Sequence, residues 1–203
     1  MTFILFHGSF NSYNQINEYW LPKLKFLDQK VIYPRFPTDT WDEISANGPD
    51  IPPKKQSLNS WLQVFDSYYE EIKNKKDLVF VGHSSGPLFI LHVLQKYHIQ
   101  LNSAVFVSPF LKPLSKSSWQ TKLINKSYYF DKFDFNLLRR LCPFSYVVYG
   151  TNDPYVETEN SKHFADQMGS TVIPVINGGH LNREENSQLI VELCKSRGVI
   201  HTI

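Results

Sequence analysis

Three residues far apart in the chain, Ser84, Asp153 and His180, are of the types that together turn an alcohol into a nucleophile. A serine hydroxyl attacks poorly near neutral pH and needs a base; imidazole, with a pKa close to 7, can take the proton and return it to a leaving group. A carboxylate beside the ring would fix its tautomer and offset the imidazolium charge. Each of the three follows its own apolar run. Residues 78–81 lead into Gly82-His83-Ser84-Ser85-Gly86, residues 144–149 into Gly150-Thr151-Asn152-Asp153-Pro154, and residues 171–175 into Asn177-Gly178-Gly179-His180.

A short β-rich run, then Gly-x-Ser-x-Gly, then a helical pattern from Phe89 to Tyr97 is the context of a nucleophile elbow. A serine at so sharp a turn takes a strained backbone, and Gly82 and Gly86 let strand and helix approach. The amide of Ser85, at the helix start, supplies half of an oxyanion hole. The second donor is expected from the loop His7-Gly8-Ser9-Phe10-Asn11-Ser12, from the amide of Ser9 or, failing that, of Phe10; the other reading is a plain turn with an N-cap at Asn11 or Ser12. Taken singly, each signal has an ordinary explanation. The pentapeptide arises by chance, Asp-Pro forms turns, and Gly-Gly-His is a turn as well. Joint placement of all three after strands sets them apart. His7, His83, His92, His98, His163 and His201 read as surface or packing residues.

The elements that would position these groups follow from periodicity. Residues 3–6 and 104–108 are continuous apolar runs, as in parallel strands covered on both faces. Residues 30–33 form a short strand stopped by Pro34. Residues 16–26, with Trp20, Leu21, Leu24 and then Leu27 apolar, suit a helix, Pro22 marking its first turn or a kink. From Phe36 to Pro53 the chain reads as irregular loop, either bordering a ligand crevice, with Trp41 in a pocket, or wrapping the sheet edge. Leu58, Trp61, Leu62, Phe65, Tyr68, Tyr69 and Ile72 make the clearest amphipathic helix, with Ser57 as N-cap. Residues 162–168 and 185–195 are helical. Residues 112–141, rich in Ser, Lys and aromatics that include Trp119, Tyr128, Phe130 and Phe133, are either a cap over the site or an ordinary crossover with buried aromatics.

A chain of 203 residues suits one domain, 1–203, with a six-stranded α/β sheet covered by helices on both faces. Its net charge of +2 argues against nucleic acid as the partner. Aromatics at 15% allow an aromatic-lined pocket, though they serve equally in a core. Cys142 and Cys194, without metal-ligand spacing, argue against a disulfide framework or zinc site and suit a reducing cytoplasm. No run reaches the length of a membrane span, and the apolar N-terminus has no basic lead.

The segments Phe6-His7-Gly8, Val81 to Gly86, Tyr149 to Val156 and Gly178 to Asn182 resemble the small serine hydrolases of the α/β-hydrolase superfamily, typified by retinoblastoma-binding protein nine and the YdeN-like proteins. The order Ser84, Asp153, His180 is that of the superfamily triad. The resemblance covers nearly the whole chain. It implies a compact α/β-hydrolase fold, mainly parallel, with strands in the order 2-1-3-4-5-6, and a carboxylesterase-like activity needing no cofactor. Glu157 departs from the pattern, where related chains often have Pro after Val; residues 112–141 match least. The expected substrate is a small-molecule ester with a modest uncharged acyl group, cleaved through an acyl-enzyme. The rivals are a peptidase or amidase and a non-catalytic binding or scaffold protein on the same fold.

Overall fold

The computed structural model describes residues 1–25, 29–129 and 132–199. Leu27, Phe130 and His201, named above, lie outside them, as does the last position of the helix expected over 16–26. Six strands, β1 (Thr2–Phe6), β2 (Lys30–Ile32), β3 (Leu78–His83), β4 (Ser103–Val107), β5 (Ser145–Gly150) and β6 (Thr171–Val175), form one sheet in the order β2-β1-β3-β4-β5-β6. Every neighbouring pair is parallel. This is the expected order, and it places β3 centrally, with the ends of β1, β3, β4, β5 and β6 along one rim.

Alternate side chains of a strand point to opposite faces, so the continuous apolar runs feed two cores. Ile4, Phe6, Phe80 and Phe106 pack with α4 (Leu58–Ile72), α5 (Gly86–Tyr97), α7 (Phe135–Leu141) and α8 (Thr158–Met168). Phe3, Leu5, Val79, Val81, Val105 and Val107 pack with α1 (Ser12–Tyr19), α2 (Leu21–Lys25) and α9 (Glu184–Val199). Fully burying one such side chain is worth about 1.5–3 kcal/mol, so an inside-out register shift of any central strand is prohibitive.

Three local expectations need correction. The helix expected over 16–26 begins at Ser12 and breaks at Trp20 into α1 and α2, with Pro22 in the first turn of α2, where a missing N–H costs nothing. The stretch 36–53 is not wholly irregular. It holds α3 (Trp41–Asn47), started by a capping box in which Thr40 accepts from the Glu43 amide and Glu43 from the Thr40 amide. Residues 112–141 divide. Their first half carries α6 (Trp119–Ile124), which lies against α3, whereas α7 packs on α5 and α8 as an ordinary sheet-covering helix.

Candidate active site

Ser84 follows β3 with φ at +59°, the strained turn that a nucleophile elbow requires. The turn closes because helix and strand touch: a Cβ on Gly86 would lie 2.4 Å from the Phe6 carbonyl oxygen. The Ser84 amide donates to the Val107 carbonyl at 2.9 Å, tying the elbow to β4. Phe10, Ser108, Asn177 and Leu181 also have positive φ, each in a loop leaving a strand on this rim. Non-glycine residues avoid that region, and such strain collects where a site needs it.

Asp153 sits just past β5. Its Oδ1 accepts the amides of Tyr155 (2.9 Å) and Val156 (3.0 Å), while Oδ2 accepts the Ser108 hydroxyl (2.9 Å) and faces His180 Nδ1 at 2.7 Å. One oxygen therefore makes the local turn expected of Asp-Pro and the other faces His180. The Asp153 side chain is 1% exposed. Burial pushes its pKa up, but the His180 hydrogen bond, the His180 charge and the two amides outweigh this and hold it below the usual carboxylate range. The His180 loop is laced to the same turn by Gly179 N–H to Asn152 Oδ1 (2.8 Å) and Asn177 N–H to Thr151 Oγ1 (3.1 Å). A side chain at Gly150 would strike the Gly179 carbonyl oxygen at 2.1 Å, so only glycine permits the approach.

Ser84 and His180 line one hollow of about 220 Å3 together with Ser9, Phe10, His83, Phe110, Leu114 and Asn125. Trp41 of α3 and Thr121 of α6 border it as well. The Ser84 hydroxyl is hydrogen-bonded to no other described residue, so the Asp153–His180 pair is closed and its link to Ser84 is open.

The side chains of the two candidate donor residues, Ser9 and Ser85, meet in a partly buried network. Ser9 Oγ donates to Asn125 Oδ1 (2.7 Å) and accepts from Gln56 Nε2 (2.7 Å), which leaves the Ser85 hydroxyl to donate to Ser9 Oγ at 3.1 Å. Gln56 is held in turn by Asp39, 1% exposed, whose carboxylate accepts the amides of Lys54, Lys55 and Gln56. The backbone amides of Ser9, Phe10 and Ser85 donate to no acceptor among the described residues. Asn11 is the N-cap residue of α1, but its side chain makes no capping bond. The ordinary-turn reading thus accounts for the helix start and leaves these donors open.

His83, read from sequence as a surface or packing residue, is buried and packs edge-on to Trp20, and its ring nitrogens are both hydrogen-bonded as well. Its Nε2 lies 2.9 Å from the His180 carbonyl oxygen, which can only accept, so the proton is on Nε2. Its Nδ1 accepts from the Ser12 hydroxyl (3.0 Å), which itself accepts from the Gly8 amide (2.9 Å). Burial lowers its pKa to about 3 and keeps it neutral beside His180, their rings 4.7 Å apart. The residue before Ser84 thus joins the Gly8 loop to the His180 loop. His7, with its pKa lowered by burial to about 4, accepts from the Phe36 amide and donates to the Gly8 carbonyl. Asp39, Gln56 and Asn125 carry no local sequence signal of these contacts, and for Ser108 the one signal is its position after β4, on the common rim. No group of three or more His, Cys, Asp or Glu side chains among the described residues is arranged so that it could hold a metal ion.

No curated protein matches the sequence. Among solved structures, the ydeN gene product of B. subtilis superposes with a TM-score of 0.71 at 20% identity, covering 97% of this chain and 96% of that one. A structure reported for the metagenome-derived lipolytic enzymes LipS and LipT gives a TM-score of 0.69 at 13% identity, covering 98% and 94%. A YdeN-like hydrolase of Pectobacterium atrosepticum gives 0.60 at 16%, covering 98% and 91%. At these identities the likeness is one of fold. The sequence itself matches the family model described as serine hydrolase over residues 36–190, and the chain, with a fold similar to that of the ydeN gene product, belongs to that family.

Proposed function

We propose that the chain is a carboxylesterase in which Ser84 is the nucleophile, His180 the general base and acid, and Asp153 the group that orients His180. The observation that carries this reading is the buried 2.7 Å Asp153–His180 pair opening onto the hollow that also holds Ser84 at φ +59°. Asp153 Oδ2 accepts the hydrogen bond from Nδ1–H and so keeps the proton on Nδ1, leaving Nε2 as the acceptor for the Ser84 proton. The Ser84–His180 hydrogen bond closes when substrate is bound, as is common for nucleophile and base. Ser84 Oγ then bonds to the acyl carbon, and the amides of Ser85 and Ser9 receive the oxyanion, each worth about 3 kcal/mol by comparison with other such sites. His180 passes its proton to the leaving alcohol as the carbon–oxygen bond breaks. Water, activated by the same ring, releases the acid from the acyl-enzyme.

Phe10, Trp41, Phe110, Leu114 and Val156 make the hollow largely apolar. At about 220 Å3 it has room for about seven water-sized groups, which favours a short, uncharged acyl chain. No helix among the described residues is long and apolar enough to cross a membrane. Cys142 and Cys194 are buried free thiols, which suits the cytoplasm as the place of action. The test is a series of chromogenic esters of rising acyl length together with fluorophosphonate labelling. Wild type should label at Ser84 and prefer short acyl chains, and Ser84→Ala should do neither. Equal turnover by wild type and Ser84→Ala would overturn the proposal.

A further inference from the structure

We infer that a second hollow, on the far side of His180, receives the alcohol half of the substrate, and that this alcohol is a polyol of glycerol or sugar type. The inference rests on the esterase reading above. The hollow measures about 450 Å3 and shares Gln15, Tyr155, His180 and Asn182 with the apolar one. Position alone gives it a role. The oxygen of the leaving alcohol must lie against the His180 ring to receive its proton, so the rest of that alcohol extends past the ring into this space.

The chemistry of the walls then selects the alcohol. Asn182 Nδ2 donates to Gln15 Oε1 at 3.2 Å, which leaves Asn182 Oδ1 as an acceptor and Gln15 Nε2 as a donor. Asn152 spends its Oδ1 on the Gly179 amide and keeps its NH2 group. The walls therefore offer free donors on Gln15 and Asn152 and a free acceptor on Asn182, and a hydroxyl, which donates and accepts at once, is the group that satisfies both. Arg183 and Glu185 at its edge bring opposite charges within 3.9 Å of each other, which favours a neutral ligand over an anion or a cation. Tyr155, 58% exposed and edge-on to the His180 ring at 5.0 Å, adds an aromatic surface for the carbon-bound hydrogens of a sugar or glycerol chain. An alkyl alcohol in the same place would strip water from the carboxamides without replacing their hydrogen bonds.

In the reaction Ser84 Oγ forms the bond to the acyl carbon, the bond from that carbon to the polyol oxygen breaks, and the proton taken from Ser84 passes through His180 to the polyol, which leaves as a neutral alcohol. Water supplies hydroxide to the acyl carbon and the proton that restores Ser84.

The experiment uses full-length protein and one acyl group, butanoate, on glycerol, glucose and 1-pentanol. The polyol esters should exceed pentyl butanoate in kcat/KM by about tenfold or more, one hydrogen bond's worth. Gln15→Leu and Asn182→Leu should each reduce that ratio to about threefold or less. Pentyl butanoate cleaved as fast as the polyol esters, or a polyol preference that survives both substitutions, would overturn the assignment while fluorophosphonate labelling of Ser84 left the esterase reading standing. Labelling without turnover of either polyol ester would overturn it too. Neither labelling nor turnover of any ester would remove both.

Discussion

Replacing Asp153 by asparagine keeps the shape of the side chain and changes only where its protons are, so the structure dictates the outcome. The carboxamide must present its oxygen on one side and its NH2 on the other. Turned one way, the NH2 would meet the amides of Tyr155 and Val156, setting donor against donor in place of two hydrogen bonds of about 1 kcal/mol each. The new side chain would therefore seat its oxygen in the place of Oδ1 and point its NH2 toward Ser108 and His180. The Ser108 hydroxyl can rotate to accept. His180 Nδ1 can accept only if the ring proton moves to Nε2, the nitrogen that has to take the Ser84 proton. The base is then lost with the geometry intact, and by comparison with other triads kcat falls about 10,000-fold, or about 5.5 kcal/mol of transition-state stabilisation. Steady-state hydrolysis of a chromogenic butanoate ester reads the loss, with KM changing about twofold at most, and thermal unfolding checks that the fold persists. An Asp153→Asn protein with an unchanged unfolding midpoint and more than about a tenth of wild-type kcat would refute the assignment of Asp153 as the orienting group.

Two further outcomes follow from the buried histidines. His83→Phe fills the same space but gives up the bonds to the His180 carbonyl and to Ser12, so kcat should drop about 10- to 100-fold with KM nearly constant; His83→Gln, which keeps a donor at the position of Nε2, should recover most of it, and equal rates for the two variants would show that His83 only packs. Below pH 6.5 the unfolded chain takes up protons at His7 and His83 that the folded chain refuses until about pH 4 and about pH 3. Stability is therefore greatest above pH 6.5 and is lost as pH falls, by about 2 kcal/mol for each ring at pH 5, so urea unfolding at pH 7.5 and 5.0 should differ by about 4 kcal/mol. A difference below about 1 kcal/mol would mean that both rings are protonated in the native state.

The apolar runs of β1, β3, β4 and β5 and the amphipathic period of α4 are local signals, and they located the strands, the α4 crossover and the strand ends that carry Ser84, Asp153 and His180. Strand order and the serine hydrolase family came from the resemblance of four short segments, and both hold. The helix α3 is masked in the sequence by the Asp, Asn, Gly and Pro around it, although Thr40 and Glu43 stand at capping-box spacing.

What sequence alone determined was which residues lie at strand ends, because side-chain period and turn chemistry are written within a few positions of each other. What only the tertiary structure decided was the partnering of those ends: Asp153 Oδ2 with His180, His83 with a carbonyl 97 positions away, and Gln56 and Asn125 with Ser9. A hydrogen bond across such a separation is fixed by the stacking of parallel strands and the length of the loops between them, and no local pattern in the chain records which donor will face which acceptor.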